Sequence, residues 1–584
     1  MNMKELQKLL KENNIDYYII PTDDDHQSEY VGDYYRVREF LSGFTGSAGT
    51  LVVGQDDAYL WTDGRYFIQA AKQLKDGIQL MKMAEPGVPT IEEFLVEHLD
   101  ENSVLAFDPK VMTARFVIDL ENAMDDSLEL DPIDFTDQVW HDRPEKSHEK
   151  AFIYDTKYHG VDASIKLEDI RSYMDMNGCD AHLVSSLDDI AWIFNIRGND
   201  IEYSPTVLAF ALIEKDKAAL YLQNGVYDDE MKDYYASIGV TIKDYDAIYE
   251  DVSKLEGTLL VDLNAINYAL YESINCEIAD GINPSQYFKS TKNEVEIANT
   301  KNAHLKDGVA VTRFMYWLKH NVGHVPMSEI SVADKLEDYR REQDLFLEPS
   351  FATICAYGSN GAIIHYQATK ESNATISNKG MLMIDSGGQY LDGTTDITRT
   401  FVLGDLSNEE RHDFTLVAKS WLHLMYARFP HGMTGINLDT YARAPMWAEG
   451  KDFKHGTGHG VGHLLNVHEG PQGIRPKQRT GENAVFEAGM ITSDEPGYYR
   501  EGHYGIRHEN ELLCVEDGET EYGTFLRFEP LTYVPLDLDG IDTNMLTDEE
   551  KAMLNDYHQF VYEKIAPLLN DEEREWLSIY TREI

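Results

Sequence analysis

The segment MLMIDSGGQYLDGTTDITRT, residues 381–400, carries three aspartates through sequence that otherwise reads as buried strand. Asp385 follows Met-Leu-Met-Ile, Asp396 stands between Thr395 and Ile397, and Asp392 falls in the glycine-rich turn between them. A buried carboxylate is costly unless something compensates it. The same placement recurs downstream, with Glu495 in MITSDEPGYY, Glu509 in YGIRHENEL and His459 in the glycine-rich HGTGHGVGH. Four like charges gathered in one place repel. A bound cation reverses that interaction, and two cations satisfy four carboxylates well. DSGGQYLDG predicts a strand and broad turn, with TTDITRTF as the returning strand, so that Asp385 and Asp396 face each other across an antiparallel pair. Asp392 lies at the turn, where an aspartate needs no special explanation, and is left out of the ligand set. Carboxylates with one histidine favour Mn²⁺, Co²⁺ or Zn²⁺, whereas a structural zinc site would use more Cys or His.

The elements that must hold these groups follow an α/β pattern. MNMKELQKLLKENN is an amphipathic helix with Leu6, Leu9 and Leu10 on one face, and IDYYIIP (15–21) is a strand ending at proline. A helix over part of 33–41 precedes strand, turn, strand and helix across 43–74, the turn being Gln55-Asp56-Asp57. The polar stretch WHDRPEKS (140–147) marks a boundary. A second helix, strand and helix (166–198) leads into two strands around the charged turn Glu214–Lys217. This repeated element order predicts two related domains, 1–145 and 146–290. The remainder, 291–584, opens on a long helix with a Thr291/Glu294 capping box and an apolar face at Val295, Ala298, Val309, Phe314 and Trp317. Short strands and glycines follow to about 535. A helical extension over about 536–584 begins at a Thr547/Glu550 capping box.

Composition narrows the class. The 584 residues are enough for two to four domains, and 42% hydrophobic content supports large cores. With 51 Lys plus Arg against 103 Asp plus Glu, the net charge of -52 argues against nucleic acid and anionic membrane as partners. Cys179, Cys276, Cys355 and Cys514 lie far apart with no CxxC pair, as fits reduced thiols in the cytoplasm. The N-terminal pattern lacks the apolar core of a signal peptide, and no apolar run is long enough to span a membrane. RTGEN (479–483) lacks the spacing of a phosphate-binding loop.

With the acids and the histidine in the order Asp385, Asp396, His459, Glu495, Glu509, the chain resembles the metallopeptidases of the pita-bread fold, family M24. That family includes methionine aminopeptidase, prolidase and Xaa-Pro aminopeptidase, with creatinase as a relative. The Asp-to-Asp spacing of 11 is the family's own, and the catalytic resemblance covers about 290–535. FLSGFTGSAGT (40–50), YLWTDGRYFIQA (59–70), VWHDRPE (139–145) and HQSEY (26–30) resemble the first domain of the three-domain cytosolic Xaa-Pro aminopeptidases. DDIAWIFNIRG (188–198) resembles their second domain and PSFATICAYGSNGAIIHY (349–366) the start of their catalytic cleft.

The resemblance implies two related N-terminal α/β domains followed by a pita-bread (creatinase/aminopeptidase) α+β catalytic domain. It implies two divalent metal ions per chain, Mn²⁺ ahead of Zn²⁺ or Co²⁺, with Asp385 on one metal, His459 on the other and Asp396 and Glu509 bridging. Glu495 would complete the second site and manage the nucleophile's proton. His365 would stabilise the oxyanion, His455 and His468 would line the proline site, with His468 also serving in catalysis, and Arg507 would steady the bridging carboxylates. His431, His463, His503 and His508 are taken as structural or exposed. The implied reaction is release of the first residue from peptides with proline second, by a cytoplasmic homodimer. A prolidase acting on Xaa-Pro dipeptides and a non-catalytic pita-bread binding or chaperone module are the alternatives.

Overall fold

A computed structural model of the chain describes residues 2–100, 102–124, 128–477, 481 and 483–584. Most of the RTGEN stretch lies outside the described residues. The chain forms two compact units, Met1–Asp155 with Val161–Ser285, and Thr156–Gly160 with Gln286–Ile584.

In the first unit, helix α1 (Asn2–Asn13) buries Leu6 and Leu10. Strands β1 (Tyr17–Ile20), β2 (Thr50–Gly54), β3 (Ala58–Thr62), β4 (Gln79–Lys82), β5 (Val104–Phe107) and β6 (Glu129–Pro132) form one sheet in the order β4-β3-β2-β1-β5-β6. The two-residue period of the strands splits the core between two faces. Tyr18, Ile20, Leu51 and Val53 enter one apolar cluster, and Ile19, Val52 and Leu105 the other. A second sheet contains β7 (Ala181–Val184), β8 (Ala209–Glu214), β9 (Ala218–Leu222), β10 (Val240–Asp244), β11 (Thr258–Val261) and β12 (Glu277–Asp280), in the order β10-β9-β8-β7-β11-β12. Strand order and the sense of every pairing are the same in both sheets. The repeat expected from element order is therefore a repeat of topology. His26, from HQSEY, reaches into the second half of this unit, with Nδ1 2.9 Å from the Ser185 carbonyl and Nε2 2.6 Å from the Tyr245 hydroxyl.

The second unit begins with α2 (Glu294–Asn321) and α3 (Glu329–Arg341). The cap of α2 differs from the expected one. Asn293 accepts from the Glu296 N–H, and Glu296 returns a carboxylate to the Asn293 N–H. Thr291 is held instead in an isolated bridge to Met490, so the chain is still extended there. Val295 and Ala298, expected on the apolar face, are exposed. The buried face of the first half is polar, with Glu296, Thr300, His304 and Asp307. The second half carries Val311, Phe314, Met315 and Leu318 into the main core, and Trp317 packs partly buried against it.

Strands β13 (Ile354–Tyr357), β14 (Met381–Ser386) and β15 (Ile397–Val402) make a three-stranded antiparallel sheet. Helices α4 (Asn408–Met425) and α5 (Gly435–Ala448) follow. A larger sheet joins β16 (Arg428–Pro430), β17 (Gly458–Gly460), β18 (Glu469–Ile474), β19 (Ile491–Asp494), β22 (Asn510–Thr520) and β23 (Gly523–Pro530), in the order β16-β23-β22-β19-β17-β18. The hairpin β20 (Gly497–Arg500) and β21 (Tyr504–Arg507) lies between β19 and β22 in sequence. The unit closes with α6 (Asp548–Ile565) and α7 (Asp571–Tyr580), and α6 carries the expected Thr547/Glu550 box. Segment 156–160 belongs to this unit through its carbonyls. Tyr158 accepts from Asn299 Nδ2 at 3.0 Å and lies 2.9 Å from His463 Nε2, and His159 accepts from Asn293 Nδ2 at 2.9 Å. Among the described residues no helix is long and apolar enough to cross a membrane, and the four cysteines are free thiols.

Candidate metal centre and cleft

Each expected ligand sits at the end of a strand or in the register of one. Asp385, on β14, stands opposite Thr398 of β15. Asp396 lies two residues before Thr398, just outside the strand, so the two carboxylates are diagonal neighbours and not directly opposed. That offset keeps them on one face of the pair. His459 is the middle residue of β17, Glu495 directly follows β19, and Glu509 joins β21 to β22. Metal-ligating atoms of Asp396, His459 and Glu509 all lie within 4.8 Å of one another. His459 Nε2 is 3.5 Å from Asp396 Oδ2 and 3.6 Å from Glu495 Oε1.

The backbone and its neighbours fix the orientation. His459 Nδ1 is 2.9 Å from the Gly460 carbonyl, which can only accept. The proton therefore sits on Nδ1, which leaves Nε2, the atom facing the carboxylates, as the one able to bind a cation. Glu509 accepts from Thr398 Oγ1 at 2.6 Å through Oε2. Its N–H donates to the Thr398 carbonyl at 3.0 Å. The Glu495 N–H donates to the Thr457 carbonyl at 2.8 Å.

Asp385, Asp396 and Glu509 are buried, and Asp385 Oδ1 and Asp396 Oδ1 are inaccessible to solvent with no hydrogen-bond partner among the described residues. Burial, and then Asp385 and Glu495 against the relief from His459, hold Asp396 up to about 6. Burial and the charges of Asp396, Asp385 and Glu495 push Glu509 well above the usual carboxylate range. Burial alone would lower the His459 pKa, but Asp396 and Glu495 outweigh it and raise it to about 9. Every shift favours added positive charge at one spot. Orphaned carboxylate oxygens, an aimed imidazole nitrogen and an oxygen-rich donor set fit divalent cations, and no feature of the cluster argues against them.

Of the expected cleft histidines, His468 touches an expected ligand directly, and His455 and the segment carrying His365 are linked to Asp385 through Arg507. His468 stacks edge-on to His459 with ring centroids 4.4 Å apart. His365 lies half-buried in the loop after β13. Its neighbour Ile364 offers a carbonyl to Arg507 Nη2 at 3.4 Å, and the same nitrogen donates to Asp385 Oδ2 at 2.5 Å. Arg507 thus steadies Asp385 directly, and its Nε donates at 3.3 Å to Thr398 Oγ1, the hydroxyl that holds Glu509, one of the carboxylates it was expected to steady. Its Nη1 donates to the Tyr499 hydroxyl at 2.7 Å, which lies 2.8 Å from His455 Nε2. His455 Nδ1 faces the Gly456 carbonyl, so Nε2 accepts. A continuous chain runs His455, Tyr499, Arg507, Asp385.

Several supporting groups escaped the sequence. Tyr499 is one of two tyrosines in PGYY, with no signal to separate them. Glu511 accepts from the Asp396 N–H at 2.7 Å. His304 Nε2 lies 3.0 Å from its other oxygen, off the hydrogen-bond direction. Two-residue periodicity after Glu509 could have flagged Glu511. Asp392 is no simple turn residue, since it is buried and accepts from Lys306 Nζ and Asn302 Nδ2, each at 2.6 Å. His508 is buried edge-on to Phe414 and His463 is buried, whereas His431 pairs with Glu487 at the surface.

Comparison with known proteins places the geometry. The model of metallopeptidase family M24 matches residues 298–516, and that of the C-terminal region of peptidase M24 matches 524–584. Two models of the creatinase/prolidase N-terminal domain match 3–143 and 142–296. Aminopeptidase P2 of Arabidopsis thaliana is 39% identical over 97% of this chain and 86% of its own length. "Probable Xaa-Pro aminopeptidase P" of Coprinopsis cinerea is 38% identical over 99% of this chain and 97% of its own. The crystal structure of X-prolyl aminopeptidase from Caenorhabditis elegans, described as a cytosolic enzyme with a di-nuclear active site, superposes with a TM-score of 0.93 at 34% identity, covering 98% of this chain and 95% of that one. An Xaa-Pro dipeptidase from Bacillus anthracis shares the fold at TM-score 0.52 and 24% identity, and covers 65% of this chain.

Proposed function

The chain belongs to metallopeptidase family M24, and from that premise we propose that it is a metal-dependent Xaa-Pro aminopeptidase with a dinuclear site. Two N-terminal creatinase-like α/β domains precede the pita-bread catalytic domain. We place the divisions after residues 145 and 290, with a helical extension from about 536. The observation that carries the reading is the convergence of Asp396, His459 and Glu509 within 4.8 Å, in a chain that matches X-prolyl aminopeptidases along nearly its whole length.

Asp385, Asp396, His459, Glu495 and Glu509 would hold the two ions, Mn²⁺ ahead of Zn²⁺ or Co²⁺. Bound there, divalent ions supply Lewis-acid polarisation of the scissile carbonyl and lower the pKa of a water. The protein does the rest. Glu495, partly open to the cleft, takes the proton released on attack and returns it to the departing nitrogen. His365 donates to the oxygen that gains charge. His468, beside His459, assists from the other wall and with His455 shapes the site for the proline ring. Arg507 and Tyr499 keep Asp385 in place. An Xaa-Pro bond has a tertiary nitrogen with no N–H to read, so selection rests on ring shape and on the free ammonium of Xaa, which the acidic cluster favours. The same reading makes the enzyme a cytosolic homodimer that does not bind nucleic acid or membrane, its net charge of -52 opposing both polyanions.

One peptide panel tests the function. Xaa-Pro-Yaa and longer Xaa-Pro peptides should lose their first residue, and chelation should abolish this until Mn²⁺ or a similar ion is restored. Xaa-Ala-Yaa and N-acetylated peptides should be poor substrates. Activity confined to the Xaa-Pro dipeptide would make the enzyme a prolidase. Intact peptides throughout, with full metal content, would leave only a binding module.

A further inference from the structure

We infer that Glu329, the first residue of α3, is the positioning residue for His365. The inference rests on the proposed role of His365 at the scissile carbonyl. Glu329 is fully buried, yet it touches none of the expected ligands. Its carboxylate instead gathers four donors from the segment that carries His365. Oε1 accepts from the Tyr357 N–H at 2.7 Å and from Asn360 Nδ2 at 2.9 Å. Oε2 accepts from the Tyr366 hydroxyl at 2.8 Å and from the Ala374 N–H at 2.7 Å. Two donors precede His365 and two follow it, one of them its immediate neighbour.

The donor pattern leaves little choice of residue. An ionised carboxylate is acceptor-only and can take two bonds at each oxygen. A glutamine would turn an NH₂ group toward two donors and leave those buried donors unmatched, which is costly. The segment from Gly358 to Ala374 has little regular structure of its own beyond the short helical turn Gly358–Ala362 and ends at the two-residue strand Thr375–Ile376. On the cleft side the segment is also tied by a backbone approach of Gly361 to Gly505, too close for a side chain on either, and by the Ile364 carbonyl at Arg507. Those ties set how near the loop stands to β21. Glu329 sets where along the loop the imidazole falls, because it fixes Tyr357, Asn360 and Tyr366 to one rigid helix end. A misplacement of about 1 Å at a group acting on the transition state costs up to about 100-fold in rate.

The test is a double-mutant cycle on the metal-loaded full-length enzyme with an Xaa-Pro-Yaa peptide. Glu329→Gln should lower kcat about 10- to 100-fold and leave KM within about threefold, with metal content unchanged. In a His365→Ala background the same change should alter kcat less than about twofold, because its effect acts through a side chain already absent. Losses that multiply would mean that Glu329 only supports the fold, and would overturn the inference. So would unchanged kcat in Glu329→Gln while His365→Ala is impaired. If His365→Ala keeps full kcat, the role of His365 falls and this inference with it, whereas a wild-type enzyme inactive on Xaa-Pro-Yaa would indict the functional reading alone. Should Glu329→Gln fail to fold, Tyr366→Phe and Asn360→Ala each remove one donor and carry the same cycle, with smaller losses in kcat expected.

Discussion

Asp396 and Asp392 lie four residues apart, and both are buried, but for opposite reasons. Asp396 Oδ1 has no hydrogen-bond partner among the described residues, whereas Asp392 has two cationic or amide donors. Asp396→Asn should therefore lower turnover by several orders of magnitude and reduce bound metal below two ions per chain, while the metal-free protein keeps or gains thermal stability, since a like charge has been removed from the cluster. Elemental analysis and turnover of the purified variant check this, and full activity would refute the ligand assignment. Asp392→Asn leaves Lys306 partly buried without its anion. The expected loss is roughly 1–3 kcal/mol of stability, less than the 3–5 of a fully buried pair because water reaches Lys306, with most activity kept at low temperature. Urea unfolding alongside turnover separates the two variants. The sequence marks Asp396 well, because an acid between Thr395 and Ile397 is incongruous. It misses Asp392, because a turn aspartate is ordinary and its partner Lys306 sits 86 residues away.

At the scale of elements, α2 is where local reading fails. Its first half buries polar residues, so the usual apolar stripe is absent and Val295 and Ala298 mislead. The polar face serves the site. Asp307 receives Arg340 Nε at 2.7 Å, Tyr390 Oη at 2.8 Å and Thr395 Oγ1 at 3.0 Å, and Arg340 also donates to the Ser386 carbonyl at 3.2 Å. Thr395 and Ser386 adjoin Asp396 and Asp385, so a single buried ion pair steadies both ligand strands. The Arg340 guanidinium outweighs the burial penalty on Asp307 and holds its carboxyl below the usual range. Asp307→Asn keeps the shape and strands Arg340 in the core. A loss of about 3–5 kcal/mol is expected, together with weakened metal retention. Chemical denaturation and metal titration of one preparation would show it, and a change below about 1 kcal/mol would mean Arg340 finds another anion. Strand β14, by contrast, was legible from its local apolar run Met381–Ile384, and β15 from the β-branched and aromatic residues that follow directly on the turn.

For the whole molecule, the repeated strand order of the first unit was visible in element order, because each strand and helix carries its own local pattern. A global property follows from buried histidines. His558 accepts from the Leu536 N–H through Nε2 at 3.1 Å, and burial, with Arg399 and Arg582, lowers its pKa to about 3. Burial likewise lowers His182 to about 4. Unfolded, each ring titrates near about 6.5. Below that pH the unfolded chain binds protons that the fold refuses. Stability from these groups is complete above about 6.5 and falls as pH drops toward 3 to 4, by up to about 1.4 kcal/mol per pH unit for each ring. Urea midpoints for wild type and His558→Gln between pH 4 and 7 should show a shallower slope in the variant. Parallel slopes would mean that His558 is protonated in the fold.

The segment Thr156–Gly160 has a consequence in time. The Tyr158 carbonyl meets His463, 305 residues later in the chain, and at the roughly 5–20 residues per second of ribosomal synthesis the wait is about 15–60 s. The surrounding chain has its partners sooner. The strand after it, β7, is complete against β8 and β11 once residue 261 has emerged. The strands on either side can therefore settle before the residues that grip this short stretch of backbone have been made. Vectorial folding here ends with a late docking event, and a fragment beginning at Gln286 would be born without the strip of backbone that Asn293, Asn299 and His463 are built to grip.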